Sequence, residues 1–209
     1  MNRKADGLMT KITTKQKVVD AASLLFYQHG FHGTSVRGIA EKAAVNVSLI
    51  SYYFKSKQGL LEYAVTTYYE LYLETIESVI MEHTSTNKIQ QLKELLTEMM
   101  RYKTEHFQLT AFIDRELSLD SIFVREMTVT YLAKENHYIK KLFVEILHPD
   151  FKKNKSYLLM QLKGMLSAPH MLKNEWHNQM MDQSDKENFT HNYMQAIHSW
   201  IDFLAKTSS

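Results

Sequence analysis

Residues that interrupt helices are scarce in this chain. Proline occurs only at positions 149 and 169, and the 209 residues include only six glycines. Apolar side chains recur at helical spacing along most of the sequence. No stretch sustains the alternation of apolar and polar residues that indicates a β-strand. The sequence therefore predicts an all-α protein.

Four helices are predicted in the first 80 residues. The first covers residues 14–28 and ends before Gly30, a residue suited to a left-handed C-cap. Two short helices follow, with the sequences VRGIAEKAA and VSLISYYF. A longer fourth helix begins with KQGLLEYAV and extends past position 80. The candidate N-cap residues of the last three helices are Thr34 or Ser35, Asn46 and Ser56.

The remainder of the chain is also predicted to be helical. Apolar stripes at a period of 3.6 residues indicate amphipathic helices. Their predicted ranges are 88–105, 108–117, 120–147, 154–173 and 185–206. We expect a flexible tail over residues 1–12, a compact helical domain over 13–60, and an all-helical domain over 61–209.

Positive charge is concentrated in the N-terminal part. Residues 1–60 contain nine Lys and Arg against three Asp and Glu, a net charge of +6, whereas the whole chain carries only +2. Such asymmetry favours contact of the N-terminal part with a polyanion. A solvated basic face is the alternative interpretation.

Residues 36–54 have the pattern of a helix-turn-helix, in which two short helices are joined by a turn of about four residues. The small side chain of Ala40 suits a close helix crossing, and Ala44 lies in the turn. Apolar anchors then fix the second helix, namely Val36, Ile39, Val45 and Ile50. We expect the free face of this second helix to enter a major groove and read bases. The residues on that face are Val47, Ser48, Ser51 and Tyr52.

Contacts to phosphate are expected around that face. A tyrosine hydroxyl can bond a phosphate oxygen, and a lysine beside a helix N-terminus adds positive charge to its free N–H groups. Core packing of Tyr53 and a solvated Lys57 are the alternatives. The predicted phosphate-binding residues are Thr34, Ser35, Arg37, Asn46, Tyr53, Lys55 and Lys57.

The sequence GFHGTSVRGIAEKAAVNVSLISYYFKSKQGLL, residues 30–61, resembles the DNA-binding domain of the TetR family. The resemblance implies a homodimer that binds a palindromic site on double-stranded DNA. It also implies that residues 13–60 are a helix-turn-helix DNA-binding domain and that residues 61–209 are an all-helical dimerisation and regulatory domain. The family usually has Gly where this chain has Ala44, a change that we expect only to tighten the turn. Val47 replaces a residue that is often polar, which favours an apolar contact such as a thymine methyl group.

Two stretches resemble family members that act on the division protein FtsZ. They are SLISYYFKSKQGLLEY and residues 105–135. This resemblance implies binding to chromosomal sites and regulation of the division ring, with FtsZ as a partner. A repressor released by a small apolar ligand is the alternative, and the sequence does not specifically indicate such an effector. We expect Asp114, Arg115 and Glu116 to be exposed, with Arg115 and Glu116 as candidate partner-binding residues.

The last two helices carry apolar stripes, and in TetR-like proteins this helix pair forms a dimer interface. A core within one chain is the alternative. The predicted interface residues are Leu162, Leu166, Tyr193, Ile197, Trp200 and Leu204. The middle helices are rich in Met and aromatic residues, which we interpret as core rather than as the lining of a drug pocket.

Several functional classes are disfavoured by what the sequence lacks. There is no cysteine, no apolar run that suggests a secretory signal and none long enough to span a membrane. His29 and His32 have no evident third ligand, and no catalytic or phosphate-loop motif is present. We therefore expect a cytoplasmic, nucleoid-associated protein that is not an enzyme and has no metal or cofactor.

Overall fold

The computed structural model describes residues 13–82, 87–119, 122–172 and 183–206, and every regular element in these ranges is a helix. The predicted N-terminal tail lies outside the described residues. The elements are α1 (Thr14–Gly33), α2 (Val36–Lys42), α3 (Val47–Phe54), α4 (Lys57–Glu82), α5 (Lys88–Glu105), α6 (Phe107–Ser118), α7 (Ile122–Ile146), a 3-10 helix (Pro149–Asn154), α8 (Lys155–Met171) and α9 (Gln183–Ala205). The prediction of an all-α fold is confirmed.

The first helix is interrupted at Gly30, close to its predicted end. Gly30 has φ 73° and ψ 174°, a backbone conformation that essentially only glycine adopts. A single turn follows, and the Thr34 hydroxyl then donates its one hydrogen to two acceptors that share it, the carbonyl oxygens of Leu25 at 3.0 Å and Gly30 at 2.8 Å. Thr34 therefore closes the end of α1.

Contacts divide the chain into two compact units, one ending at Ala64 and the other beginning at Val65. In the N-terminal unit, α2 packs against both α1 and α3. Its buried core is formed by Val18, Ala22 and Phe26 of α1, Ile39 and Ala40 of α2, Ile50 and Phe54 of α3, and Leu60 and Leu61 of α4.

A γ-turn joins α3 to α4. The backbone N–H of Ser56 donates to the carbonyl oxygen of Phe54 at 2.8 Å, and the central residue, Lys55, has φ 68° and ψ −45°. Turns of this kind are rare and strained. At Gly59, an added Cβ would lie only 2.3 Å from the Phe54 carbonyl oxygen. The connection therefore requires a glycine at position 59, which the sequence analysis did not identify.

The C-terminal unit is a helical bundle in which α5 packs against α7 and α9, and α6 packs against α8. The interpretation of its Met and aromatic residues as core is confirmed for six of them: Met99, Met100, Tyr102, Phe107, Phe112 and Phe143. None of the described helices combines the length and the apolar character that a membrane crossing requires.

The turn between α2 and α3 is a Schellman motif. The N–H of Val45 donates to the carbonyl of Ala40 at 2.9 Å, and the N–H of Ala44 donates to that of Glu41 at 3.1 Å. Ala44 occupies the left-handed position of the motif, with φ 53°. Its methyl group therefore strains the backbone, so the expectation that alanine merely tightens the turn was incomplete.

We predict that Ala44→Gly stabilises the turn by about 0.5–1 kcal/mol. Relief of about 1–2 kcal/mol of left-handed strain is partly offset by the greater freedom of glycine in the unfolded chain. Amide hydrogen exchange in α2 and α3 should slow by about two- to fivefold. The control is Ala43→Gly, because Ala43 has φ −79° and loses stability on the same change. Equal acceleration of exchange in both variants would contradict the assignment of strain to Ala44.

Candidate nucleic-acid interface

The second helix of the helix-turn-helix is held by a cap at one end and by buried side chains along one side. The side-chain oxygen of Asn46 accepts hydrogen bonds from the backbone N–H of Ser48 at 2.9 Å and from its hydroxyl at 2.8 Å. Ile50 and Phe54 point into the core of the N-terminal unit. The start and the register of α3 are thereby fixed.

The opposite side of α3 is exposed. All four residues predicted to read bases lie there together: Val47, Ser48, Ser51 and Tyr52. Tyr52 is 71% exposed, and its ring contacts that of Tyr53 edge to face, with 5.2 Å between centroids. The structure thus gathers these side chains on one exposed surface of α3.

Five of the residues predicted to bind phosphate are also exposed: Ser35, Arg37, Asn46, Tyr53 and Lys55. Tyr53 is 39% exposed, so it is not a core residue. Ser35 caps α2 by accepting a hydrogen bond from the N–H of Gly38 at 3.0 Å. These residues remain candidates for phosphate contact.

Thr34 does not fit the phosphate-binding role that was predicted for it. Its side chain is 4% exposed, and its hydroxyl is bonded to the carbonyl oxygens at the end of α1. A buried hydroxyl that already has two partners cannot reach a phosphate. The sequence signal was its position four residues after Gly30, where a side chain can bond back to the helix end.

Lys57 has a role that the sequence analysis did not foresee. Its ammonium group donates to the carbonyl oxygens of Phe31 and Thr34, each at 2.7 Å, and lies 4.4 Å from the centre of the Phe31 ring. A lysine has three N–H donors, and two of them are used here. Lys57 therefore ties the start of α4 to the end of α1, and one donor remains for any phosphate.

An aromatic cluster supports the end of α3. The ring of Phe54 lies 5.3 Å from that of Tyr63, and the ammonium of Lys15 lies 3.7 Å above the Tyr63 ring. This cation–π contact joins α1 to α4 and was not evident from the sequence, because the two residues are far apart in the chain.

The residues predicted to form a dimer interface are mostly internal to one chain. Four are at most 3% exposed: Leu162, Leu166, Ile197 and Leu204. Tyr193 donates to the carbonyl of Met165 at 2.8 Å, and Trp200 stacks on Phe143 with 5.9 Å between ring centroids. The four buried side chains present almost no surface to a partner. The large apolar residues that are exposed on the same two helices are Tyr157, Met160 and Met171 of α8 and Phe203 of α9.

The predicted partner-binding residues Arg115 and Glu116 are both half-buried, and their charged groups are 3.9 Å apart. The guanidinium of Arg115 also lies 5.7 Å from the centre of the Phe112 ring. The expectation that Asp114, Arg115 and Glu116 are exposed was wrong, because all three are half-buried and the carboxylate oxygen Oδ2 of Asp114 is buried. In the part of the chain that the structure describes, no group of three or more His, Asp or Glu could hold a metal ion.

An N-cap and two buried side chains hold α3 in place, and its opposite face is exposed beside basic residues. This arrangement defines a helix-turn-helix protein of the DNA-binding type. Residues 18–64 match the family described as bacterial regulatory proteins, tetR family. Over 204 residues the chain is 37% identical to the "Probable HTH-type transcriptional regulator YttP" of Bacillus subtilis (strain 168). That alignment covers 94% of this chain and 96% of the relative. The chain belongs to the TetR family of transcriptional regulators.

Solved structures share the fold. The TetR family transcriptional regulator PfmR from Thermus thermophilus gives a TM-score of 0.66 at 14% identity, covering 92% of this chain and 99% of that protein. An HlyIIR mutant protein also gives 0.66, at 22% identity, covering 88% and 96%. The TetR-like architecture, an N-terminal helix-turn-helix followed by a helical domain, is thus confirmed.

We predict different effects for replacing Lys55, in the turn before α4, and Lys57, the first residue of α4. Lys55→Ala removes one exposed charge, which should weaken DNA binding and reduce the slope of log affinity against log salt by about one. Lys57→Ala should instead lower the free energy of unfolding by about 1–3 kcal/mol, because two carbonyl groups lose a charged donor.

Thermal unfolding and fluorescence anisotropy at several salt concentrations distinguish the two outcomes. Lys55→Ala is the control for Lys57→Ala, because it also removes a lysine near the start of α4. Lysine and alanine have the same backbone strain at position 55, so this control should unfold like the wild type. A Lys57→Ala protein with unchanged unfolding and a salt slope reduced by one would show that Lys57 binds phosphate after all.

Proposed function

We propose that this regulator binds palindromic double-stranded DNA as a homodimer, with α3 in the major groove of each half-site. The observation that carries the proposal is the division of α3 into two faces. Ile50 and Phe54 are buried, while the exposed residues of the helix are Val47, Ser48, Ser51, Tyr52 and Tyr53. Eight residues with this pattern form a rigid projection that matches the width of a major groove.

The chemistry of the exposed face suits base recognition. The Ser51 hydroxyl can donate and accept hydrogen bonds, so it can address several base edges. The Ser48 hydroxyl already donates to Asn46, so it can only accept a hydrogen bond from a base. Val47 offers methyl groups to a thymine methyl. Arg37 and Lys55 lie on exposed positions around the same helix-turn-helix and can bind the flanking phosphates.

A dimer doubles the few base contacts that one α3 can make. The two-fold symmetry of the protein then requires a palindromic site whose half-sites lie about one helical turn apart or more. We propose that α8 and α9 meet their symmetry mates through exposed apolar side chains, including Tyr157, Met160 and Phe203. Their burial against a partner would remove apolar surface that is otherwise exposed to water.

We further propose that the protein associates with the nucleoid and acts on the division protein FtsZ. The support is the resemblance of SLISYYFKSKQGLLEY and of residues 105–135 to RefZ, a DNA-binding regulator of FtsZ. Arg115 and Glu116 lie within the second stretch and are both partly accessible on α6. They are the residues we propose for contact with the partner.

A selection from random DNA duplexes tests the proposed division of labour on α3. Ser51→Ala and Tyr52→Ala should change the preferred sequence, because they remove groups that face base edges. Tyr53→Ala should weaken binding to all duplexes while the preferred sequence stays the same, because a phosphate contact carries no base information. A uniform loss in all three variants would show that the reading face has been assigned wrongly.

The proposed role in division is tested separately from DNA binding. Charge reversal in Arg115→Glu or Glu116→Lys should leave DNA binding intact and abolish both co-purification with FtsZ and the effect on division. Charge reversal of exposed Lys140 on α7, as Lys140→Glu, is the matched control. Wild-type behaviour of all three variants in both assays would contradict the partner assignment.

A ligand-responsive repressor is the alternative function. It would be favoured if the protein binds chromosomal sites beside a transporter gene and leaves them when a ligand is added.

A further inference from the structure

The cap of α3 fixes the orientation of the Asn46 side chain. Oδ1 of Asn46 accepts a hydrogen bond from the backbone N–H of Ser48 at 2.9 Å. Because a backbone N–H can only donate, the Asn46 atom that faces Ser48 must be the amide oxygen and not the amide nitrogen. The two N–H donors of the Asn46 amide therefore lie outside the cap, on a residue that is exposed.

The orientation of Asn46 determines the direction of the hydrogen bond made by the Ser48 hydroxyl. The hydroxyl oxygen lies 2.8 Å from the same Oδ1, and an amide oxygen has no hydrogen to donate. The one hydrogen of the Ser48 hydroxyl must therefore lie in this contact. Ser48 is exposed, and the side of its oxygen that faces solvent presents only lone pairs.

A hydroxyl that can only accept is unsuited to most of the DNA surface. Phosphate oxygens are acceptors, so a phosphate offers Ser48 no hydrogen. In the major groove, N7 of both purines, O6 of guanine and O4 of thymine are also acceptors. The donors in this groove are the exocyclic amino groups, N6 of adenine and N4 of cytosine. Every base pair carries one of them, so an acceptor at a fixed position distinguishes adenine or cytosine from guanine or thymine on the strand that it contacts.

The preference should correspond to about one hydrogen bond. An amino group adds a bond to the Ser48 oxygen and leaves the bond from Ser48 to Asn46 in place. A carbonyl group on the base could be bonded only if the hydroxyl turned away from Asn46, so that one bond would replace another. One hydrogen bond between neutral groups corresponds to about a three- to tenfold preference in affinity.

Ser51 provides an internal comparison on the same helix. It lies one turn further along the exposed face of α3 and is not part of the cap. Its hydroxyl can therefore turn to donate or to accept, whichever the base requires. The two exposed serines of α3 thus differ in polarity, although their side chains are chemically identical.

We propose that Ser48, oriented by Asn46, selects an exocyclic amino group, that of adenine or cytosine, on one strand of each half-site. This inference rests on the proposed insertion of α3 into the major groove, and it specifies which chemical group one side chain recognises there. Asn46 is then a positioning residue for Ser48, and its two outward N–H donors still suit the phosphate contact predicted from the sequence.

Duplexes that lack single amino groups test the assignment of Ser48. In one half-site of a mapped binding site, each adenine is replaced in turn by purine, which lacks N6, and each cytosine by 2-pyrimidinone, which lacks N4. At one position, the replacement should weaken binding of the wild type by about three- to tenfold more than it weakens binding of Ser48→Ala. Whether that position responds to purine or to 2-pyrimidinone identifies the base.

Fluorescence anisotropy provides the affinities, and weaker base pairing in a modified duplex affects both proteins equally. If a folded Ser48→Ala protein and the wild type respond alike at every position in both series, the proposal is overturned. A wild-type protein that prefers no DNA sequence would instead refute the proposed function itself.

Asn46→Gly tests the positioning role, and glycine is a good enough N-cap for α3 to persist, which circular dichroism checks. In this variant the Ser48 hydroxyl is free to donate, so selection from random duplexes should admit guanine and thymine where the wild type requires adenine or cytosine. Loss of a phosphate contact would weaken binding to all sequences alike. The base preference that Ser51→Ala abolishes should be unchanged in Asn46→Gly, which is the control. An undiminished preference for adenine or cytosine at the Ser48 position would show that Asn46 does not orient Ser48.

Discussion

The burial of Ile50 and Phe54 is the interaction on which the proposed DNA-binding surface depends. An isolated helix of eight residues is not stable in water, since it has too few hydrogen bonds to offset the cost of nucleation. α3 therefore exists because two of its side chains are held in the core of the N-terminal unit and Asn46 caps its start. The exposed residues of α3 keep their positions only while those contacts persist.

The backbone is strained in the two turns that flank α3, and these turns also fix the position of the helix. Ala44 and Lys55, on either side of the helix, both have positive φ, and Gly59 permits the close approach of the Phe54 carbonyl. Lys57 then ties α4 to the end of α1 through two carbonyl oxygens. Local strain of this kind persists where the surrounding packing fixes it, and it is common at binding sites. The aromatic run Tyr52–Tyr53–Phe54 is divided accordingly, with only its last ring in the core.

Features that depend on neighbouring residues could be predicted from the sequence. For the helices after α1, the observed first and last residues lie within two positions of the predicted ones. Apolar periodicity and capping side chains are local signals, so the sequence contains them. The interruption of α1 was likewise predicted from a single residue, Gly30. The exposed face of α3 followed from the same periodicity. Contacts between distant residues could not be predicted in this way: Lys57 bonds carbonyls 23 and 26 residues earlier, and Lys103 pairs with a carboxylate 32 residues later. The burial of Leu162 and Leu166 within one chain also depends on contacts between distant residues.

The central claim is that the exposed face of α3 lies in the major groove while Ile50 and Phe54 remain in the core. Dimethyl sulfate footprinting on a mapped binding site tests it most directly, because the reagent methylates guanine N7 in the major groove and adenine N3 in the minor groove. The account predicts protection of guanine N7 in two symmetric half-sites, with adenine N3 still reactive. Tight binding that protects adenine N3 and leaves guanine N7 reactive would contradict it.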